Sequence, residues 1–183
     1  TIAIIISILS ITPIFIMMTE EQQHSAFAQL TGQESLNSNV GQAGMKEFSV
    51  PLGSRPHDVA PIPNGTEVWY TAQGSGELGK LDPTTGKTHH IALGQGSAPH
   101  GVIIGADGSP WITDGGLNAI VRVDPRTEEV KVYLLPEGTG YGNLNTATFD
   151  HNGTLWFTGQ SGIYGRLDPQ VGQIEIFQAP RGP

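Results

Sequence analysis

The sequence predicts an all-β fold, a β-propeller built of four-stranded blades, and three observations carry that prediction. Trp69, Trp111 and Trp156 recur 42 and 45 residues apart, while Asp82-Pro83, Asp124-Pro125 and Asp168-Pro169 recur 42 and 44 apart. Self-similarity at a fixed period of this length marks a repeat architecture. Within each copy, short apolar runs alternate with tight-turn signals, the pattern of strands joined by hairpins. The composition agrees: 25 glycines and 13 prolines among 183 residues, with 14% charged and 37% hydrophobic, leave little room for long helices.

The copies span residues 55–98, 99–142 and 143–183. Each opens on a first strand such as His100-Gly101-Val102-Ile103-Ile104-Gly105. A turn follows at Asn64-Gly65, Asp107-Gly108 or Asn152-Gly153, read as a two-residue hairpin with positive φ at both positions. The second strands are Val68-Trp69-Tyr70-Thr71, Trp111-Ile112-Thr113 and Leu155-Trp156-Phe157-Thr158. Counting outward from the second turn places His100 opposite Asp114 and Gly115, with His57 matching it in the first copy. The third copy has Gly142-Asn143-Leu144 where Pro-His-Gly would stand, and so lacks the histidine. Third strands end in Lys80-Leu81-Asp82-Pro83, Arg122-Val123-Asp124-Pro125 and Arg166-Leu167-Asp168-Pro169, where base and acid share a face and are expected to pair. Gly86 and Gly172 close the following turn, and Glu128 stands in the place of that glycine in the second copy. Fourth strands alternate, as in Val130, Val132 and Leu134 against Lys131 and Tyr133.

Four strands per copy with one tryptophan each make a propeller blade, the tryptophan serving as core between blades. Lys46-Glu47-Phe48-Ser49-Val50-Pro51 matches the end of a fourth strand, Lys131-Val132-Tyr133-Leu134-Leu135-Pro136. The propeller segment is therefore expected over 45–183, with residues 45–51 as a closing strand. Three blades fall short of the usual four to eight, so the expectation is a fragment truncated at both ends.

Residues 2–18 carry no charge and precede Ala26-Phe27-Ala28, so residues 1–28 read as a signal peptide cleaved after Ala28, or as an N-terminal membrane anchor. The chain starts at Thr1, and no basic segment precedes the apolar run. Residues 29–44 read as a flexible linker. The bulk of the chain is thus expected to be secreted or extracytoplasmic, touching membrane only through the N-terminal segment if that is uncleaved. With no cysteine, disulfides, thiolate nucleophiles and Cys-ligated zinc are excluded. A net charge of −8 with no basic run argues against nucleic-acid partners. Asn64-Gly65-Thr66 and Asn152-Gly153-Thr154 fit the glycosylation sequon, though their place in the turn register already accounts for them. His89 and His90 point to opposite faces of a strand and cannot jointly clasp a metal.

The repeats resemble those of the virginiamycin B lyase (streptogramin lyase) family. The resemblance rests on Pro99-His100-Gly101-Val102, on Asp107-Gly108-Ser109-Pro110-Trp111-Ile112-Thr113-Asp114 and on Asn118-Ala119-Ile120-Val121-Arg122-Val123-Asp124-Pro125. Leu155-Trp156-Phe157-Thr158 and Gly165-Arg166-Leu167-Asp168-Pro169 repeat the pattern. The resemblance implies a seven-bladed ring and a magnesium-dependent elimination that opens a cyclic depsipeptide at its ester without adding water. On that reading, His100 is the catalytic candidate, His57 a binding residue at the channel mouth, and Asp114 the metal-ligating or orienting carboxylate. The partner would be a small molecule or cyclic peptide, with Mg2+ as cofactor of the full-length protein.

The family's active blade carries an acid two residues before its histidine and a Glu ending the second strand. Here the first position is Arg55 or Ala98 and the second is Ala72, Asp114 or Gly159. Only His100 with Asp114 keeps part of that set, so the full set is expected in blades outside this segment. Two readings therefore stand: a carbon–oxygen lyase, and a non-catalytic NHL-like propeller that serves as a ligand- or protein-binding scaffold. A calcium-dependent lactonase of the gluconolactonase type shares the fold but needs a Glu/Asn/Asp constellation that this segment does not supply.

Overall fold

The turn-rich sequence folds into twelve short strands, with no helix, among the described residues, which are 46–63 and 65–180 of a computed structural model. The predicted leader and linker, 1–28 and 29–44, lie outside them. The first sheet holds β1 (Pro56–Pro61), β2 (Val68–Ala72), β3 (Glu77–Leu81) and β4 (Thr88–Ala92). The second holds β5 (Pro99–Ile104), β6 (Pro110–Asp114), β7 (Ala119–Val123) and β8 (Val130–Leu134). The third holds β9 (Leu144–Phe149), β10 (Leu155–Gly159), β11 (Ile163–Asp168) and β12 (Gln173–Gln178). All three are antiparallel meanders, one per sequence copy. The chain divides into Thr1–Glu47 and Phe48–Pro183, and every strand belongs to the second unit. Strands β1, β5 and β9 lie side by side, so the sheets converge on their first strands, as blades do around a propeller axis.

The first and second blades each turn their tryptophan face toward the next blade. Trp69 and Leu78 pack against Ile112 and Val121 in one apolar cluster, and Trp111 and Tyr133 pack against Leu155, Phe157 and Leu167 in another. Trp69 and Trp111 are only 2% and 4% exposed, as expected of core between blades.

The hairpin turns differ from the two-residue expectation. The Gly105 N–H donates to Ser109 O at 2.9 Å and closes a three-residue loop in which only Gly108, at φ 80°, is left-handed. The third blade repeats this with Asp150 N–H to Thr154 O at 2.9 Å and Gly153 at φ 82°. A type I turn followed by one left-handed glycine matches strand twist with one residue more than the tighter hairpin. The register therefore shifts by one, pairing Ile103 with Trp111 and Val102 with Ile112.

The third-strand cations also choose other partners than expected. Lys80 pairs with Glu67 at 3.6 Å, Arg122 with Asp107 at 2.7 Å and Arg166 with Glu175 at 2.9 Å. Asp82, Asp124 and Asp168 instead accept backbone N–H groups of the turns that they open, each at 2.8 Å.

Residues 46–51 belong to no ladder. Phe48 nevertheless lies 3.7 Å from where a Cβ on Gly86 would sit, as the Tyr133 ring lies 3.2 Å from the same point on Gly172. Phe48 thus stands to Gly86 as Tyr133 stands to Gly172.

Candidate functional site at the inner strands

The inner strands carry a β-bulge at the same place in every blade. In the second blade, pairing slips between Pro99↔Asp114 and Gly101↔Thr113, leaving His100 as the extra residue. The first blade slips between Pro56↔Ala72 and Val59↔Tyr70, which takes in His57 and Asp58. The third slips between Leu144↔Gly159 and Ala147↔Phe157, which takes in Asn145. Two expectations change accordingly. Asp114 stands opposite Pro99 and not His100, and the third-copy counterpart of His100 is Asn145. A bulge bends the strand and re-aims the residue it ejects, and here it ejects a polar side chain three times over.

The structure brings His57 and His100 together. Their ring centroids are 3.9 Å apart, with planes tilted by 43°. His57 is exposed and His100 half-buried. Burial, and secondarily the neighbouring His57, lower the His100 pKa from its ordinary value, against the opposing pull of the Asn145 backbone and Asp58. His100 is therefore a neutral imidazole at pH 7, able to take a proton.

Asp114 is placed elsewhere. It is fully buried, and both its oxygens are engaged: Oδ2 accepts from Ser97 Oγ at 2.5 Å, and Oδ1 from the Ala98 and Leu117 N–H groups, each at 2.9 Å. It ties the loop leading into β5 to the β6–β7 turn. Among the described residues no group of three or more His, Cys, Asp or Glu could hold a metal ion. With Asp114 saturated by protein donors, these residues do not fit a magnesium ion.

Sequence reasoning passed over Asp58, Thr71 and Thr113, which build the frame around His100. Thr71 Oγ1 donates to His100 O at 2.9 Å and accepts from Asp58 N–H at 2.9 Å. Thr113 Oγ1 accepts from Gly101 N–H at 2.9 Å and donates to Asn145 O at 2.5 Å. Asp58 Oδ2 accepts from Val102 N–H at 3.0 Å, crossing from the first blade to the second. The signal was present: Thr71, Thr113 and Thr158 each follow their tryptophan by two residues. His89 and His90 separate as expected, His89 to Glu128 at 2.8 Å and His90 to Glu77 at 2.8 Å and Tyr70 at 2.6 Å.

Three four-stranded antiparallel blades that converge on their first strands define a β-propeller. The sequence profile of the virginiamycin B lyase family matches residues 16–182, and the chain belongs to that family. Among solved structures it is similar to virginiamycin B lyase from Staphylococcus aureus, with 26% identity and a TM-score of 0.67, over 77% of this chain and 47% of that one. A streptogramin B lyase structure is matched at 28% identity and a TM-score of 0.67, over 75% and 45% of the two chains. A catalytically inactive histidine-to-alanine variant of the S. aureus enzyme with quinupristin is matched at 27% identity and a TM-score of 0.66, over 78% and 47%. A gluconolactonase of Zymomonas mobilis is 32% identical over 77 residues, 40% of this chain and 22% of that protein. The chain thus spans about half the length of the lyases that it matches.

Proposed function

We propose that this chain forms part of the ligand-facing rim of an exported lyase that opens a cyclic ester by elimination, with His100 as the proton-transferring residue. The observation that supports it best is the placement of His100: ejected by a bulge on an inner strand, half-buried, beside His57. In this reading His100 takes the proton from the carbon next to the one bearing the ester oxygen. The C–H pair becomes a C=C bond, and the C–O pair leaves with the carboxylate, so no water is consumed. His57, exposed beside it, contributes to holding the ligand. Magnesium, on this reading, is held by residues other than His57, His100 and Asp114.

The second reading, a binding scaffold, draws on Arg55 and Ala98 standing where the resembled family has an acid, and on the saturation of Asp114. Quinupristin separates the two. Elimination yields a ring-opened product of unchanged mass, whereas lactonase-type hydrolysis adds one water. Saturable binding with no product favours the scaffold and overturns the lyase reading.

A further inference from the structure

We propose that Thr71 and Thr113 are positioning residues that jointly set the direction of the His100 side chain by gripping the two ends of the peptide bond that follows it. The inference deepens the proposed function and rests on it only for its activity readout.

The His100–Gly101 peptide offers one acceptor and one donor. Its carbonyl takes the Thr71 hydroxyl at 2.9 Å from the first blade, and its N–H goes to Thr113 Oγ1 at 2.9 Å within its own blade. Both threonines are buried, at 0% and 1% exposure, so neither hydroxyl has water as an alternative partner. A hydroxyl carries one proton and two lone pairs, and each of these two donates forward and accepts from behind. The result is a directed chain, Asp58 N–H to Thr71 to His100 O, then Gly101 N–H to Thr113 to Asn145 O. Such chains polarise each link in the same sense.

The clamp closes on a residue that has no room to adjust. A Cβ on Gly101 would meet Asn145 O at 2.7 Å and Thr113 Oγ1 at 2.9 Å, so the glycine is what lets β9 approach. Asp58 Oδ2 pins Val102 N–H at 3.0 Å on the far side. The third-blade counterpart is looser: Thr146 N–H reaches Thr158 Oγ1 at 3.4 Å, and Thr158 is exposed. The grip is therefore tightest around the bulge that carries His100, which explains why its ring is held against that of His57 and not swung away.

The test uses the complete protein to which these three blades belong. Thr71→Val keeps shape and removes the hydroxyl; Thr71→Ser restores it; Thr158→Val makes the same change at the loose position. Thr113→Val gives the same reading should Thr71→Val not fold. We expect Thr71→Val to abolish the proton cross-peak between the His57 and His100 rings and to move the His100 titration toward 6.5, its ordinary value. Quinupristin kcat should fall on the order of a hundredfold with KM little changed, as a misaimed base costs. Thr71→Ser should recover all three, and Thr158→Val should alter none. An unmoved cross-peak and titration in Thr71→Val overturns the proposal, as does an equal effect from Thr158→Val. If the complete wild-type protein, with its remaining blades, leaves quinupristin intact, the proposed function fails, while the two ring readouts still decide this one.

Discussion

The imidazole of His100 stands 3.9 Å from that of His57, centroid to centroid, and that proximity adds to burial in keeping His100 uncharged. Because the folded pKa lies below the unfolded value of 6.5, the unfolded chain binds more protons in the window between the two. Stability therefore decreases as pH falls from 6.5 to the folded value; above that window this group has no effect, and below it the loss is retained in full without growing. A histidine-resolved NMR titration should place His100 below 6.5, and His57→Gln should move it upward by removing the repulsion. A His100 midpoint at or above 6.5 would contradict this assignment.

Asp114 is expected to behave as a structural carboxylate. Asp114→Ala leaves Ser97, Ala98 and Leu117 donors facing an apolar gap and should cost about 2–4 kcal/mol in denaturant unfolding. Asp114→Asn keeps one acceptor oxygen and a smaller part of that loss, about 1–2 kcal/mol. Equal stability of Asp114→Ala and wild type would show that the cluster contributes nothing.

Glycine in a third strand is set by its neighbour in the second. Tyr70 lies flat across Gly79, where an added Cβ would meet ring atoms at 2.2 Å, whereas the corresponding pair in the second blade is Ile112 and Val121. Gly79→Val should destabilise by about 2 kcal/mol or more through overpacking. Adding Tyr70→Ile reproduces the second-blade pair and should make the double variant no less stable than the single, despite loss of the Tyr70–His90 hydrogen bond. Strictly additive losses in the double-mutant cycle would refute the coupling.

The outward face of the third blade presents what its siblings bury. Trp156, Phe157, Thr158 and Tyr164 line an apolar cleft of about 340 Å³, and Tyr164 is 37% exposed while its counterparts Leu78 and Ile120 are fully buried. Exposed apolar faces of this kind favour association. A protein of these 183 residues should self-associate in sedimentation, and Tyr164→Lys should shift it toward monomer. Monodisperse monomer at all concentrations would count against this.

The period and the strand order were legible because Trp, Asp-Pro and turn glycines are tied to single places in a blade. The register beside His100 was not, because Asp107-Gly108 reads alike in a two-residue and a three-residue hairpin, and only the positive φ of Gly108 alone separates them. The bulge then displaced His100 from Asp114, which no local pattern marks. That Asp114 is inward-facing and saturated depends on Ser97 and Leu117, brought to it by turns and not by periodicity. The threonine two after each tryptophan was visible, but its partner is a carbonyl in the neighbouring blade, and backbone groups carry no sequence signature.

The most direct test is quinupristin turnover by wild type and His100→Ala, with both variants shown to be folded. If His100 moves the proton, the wild type forms the isomeric ring-opened product and His100→Ala loses about 10²–10⁴-fold in rate. Turnover by His100→Ala at the wild-type rate would contradict the assignment.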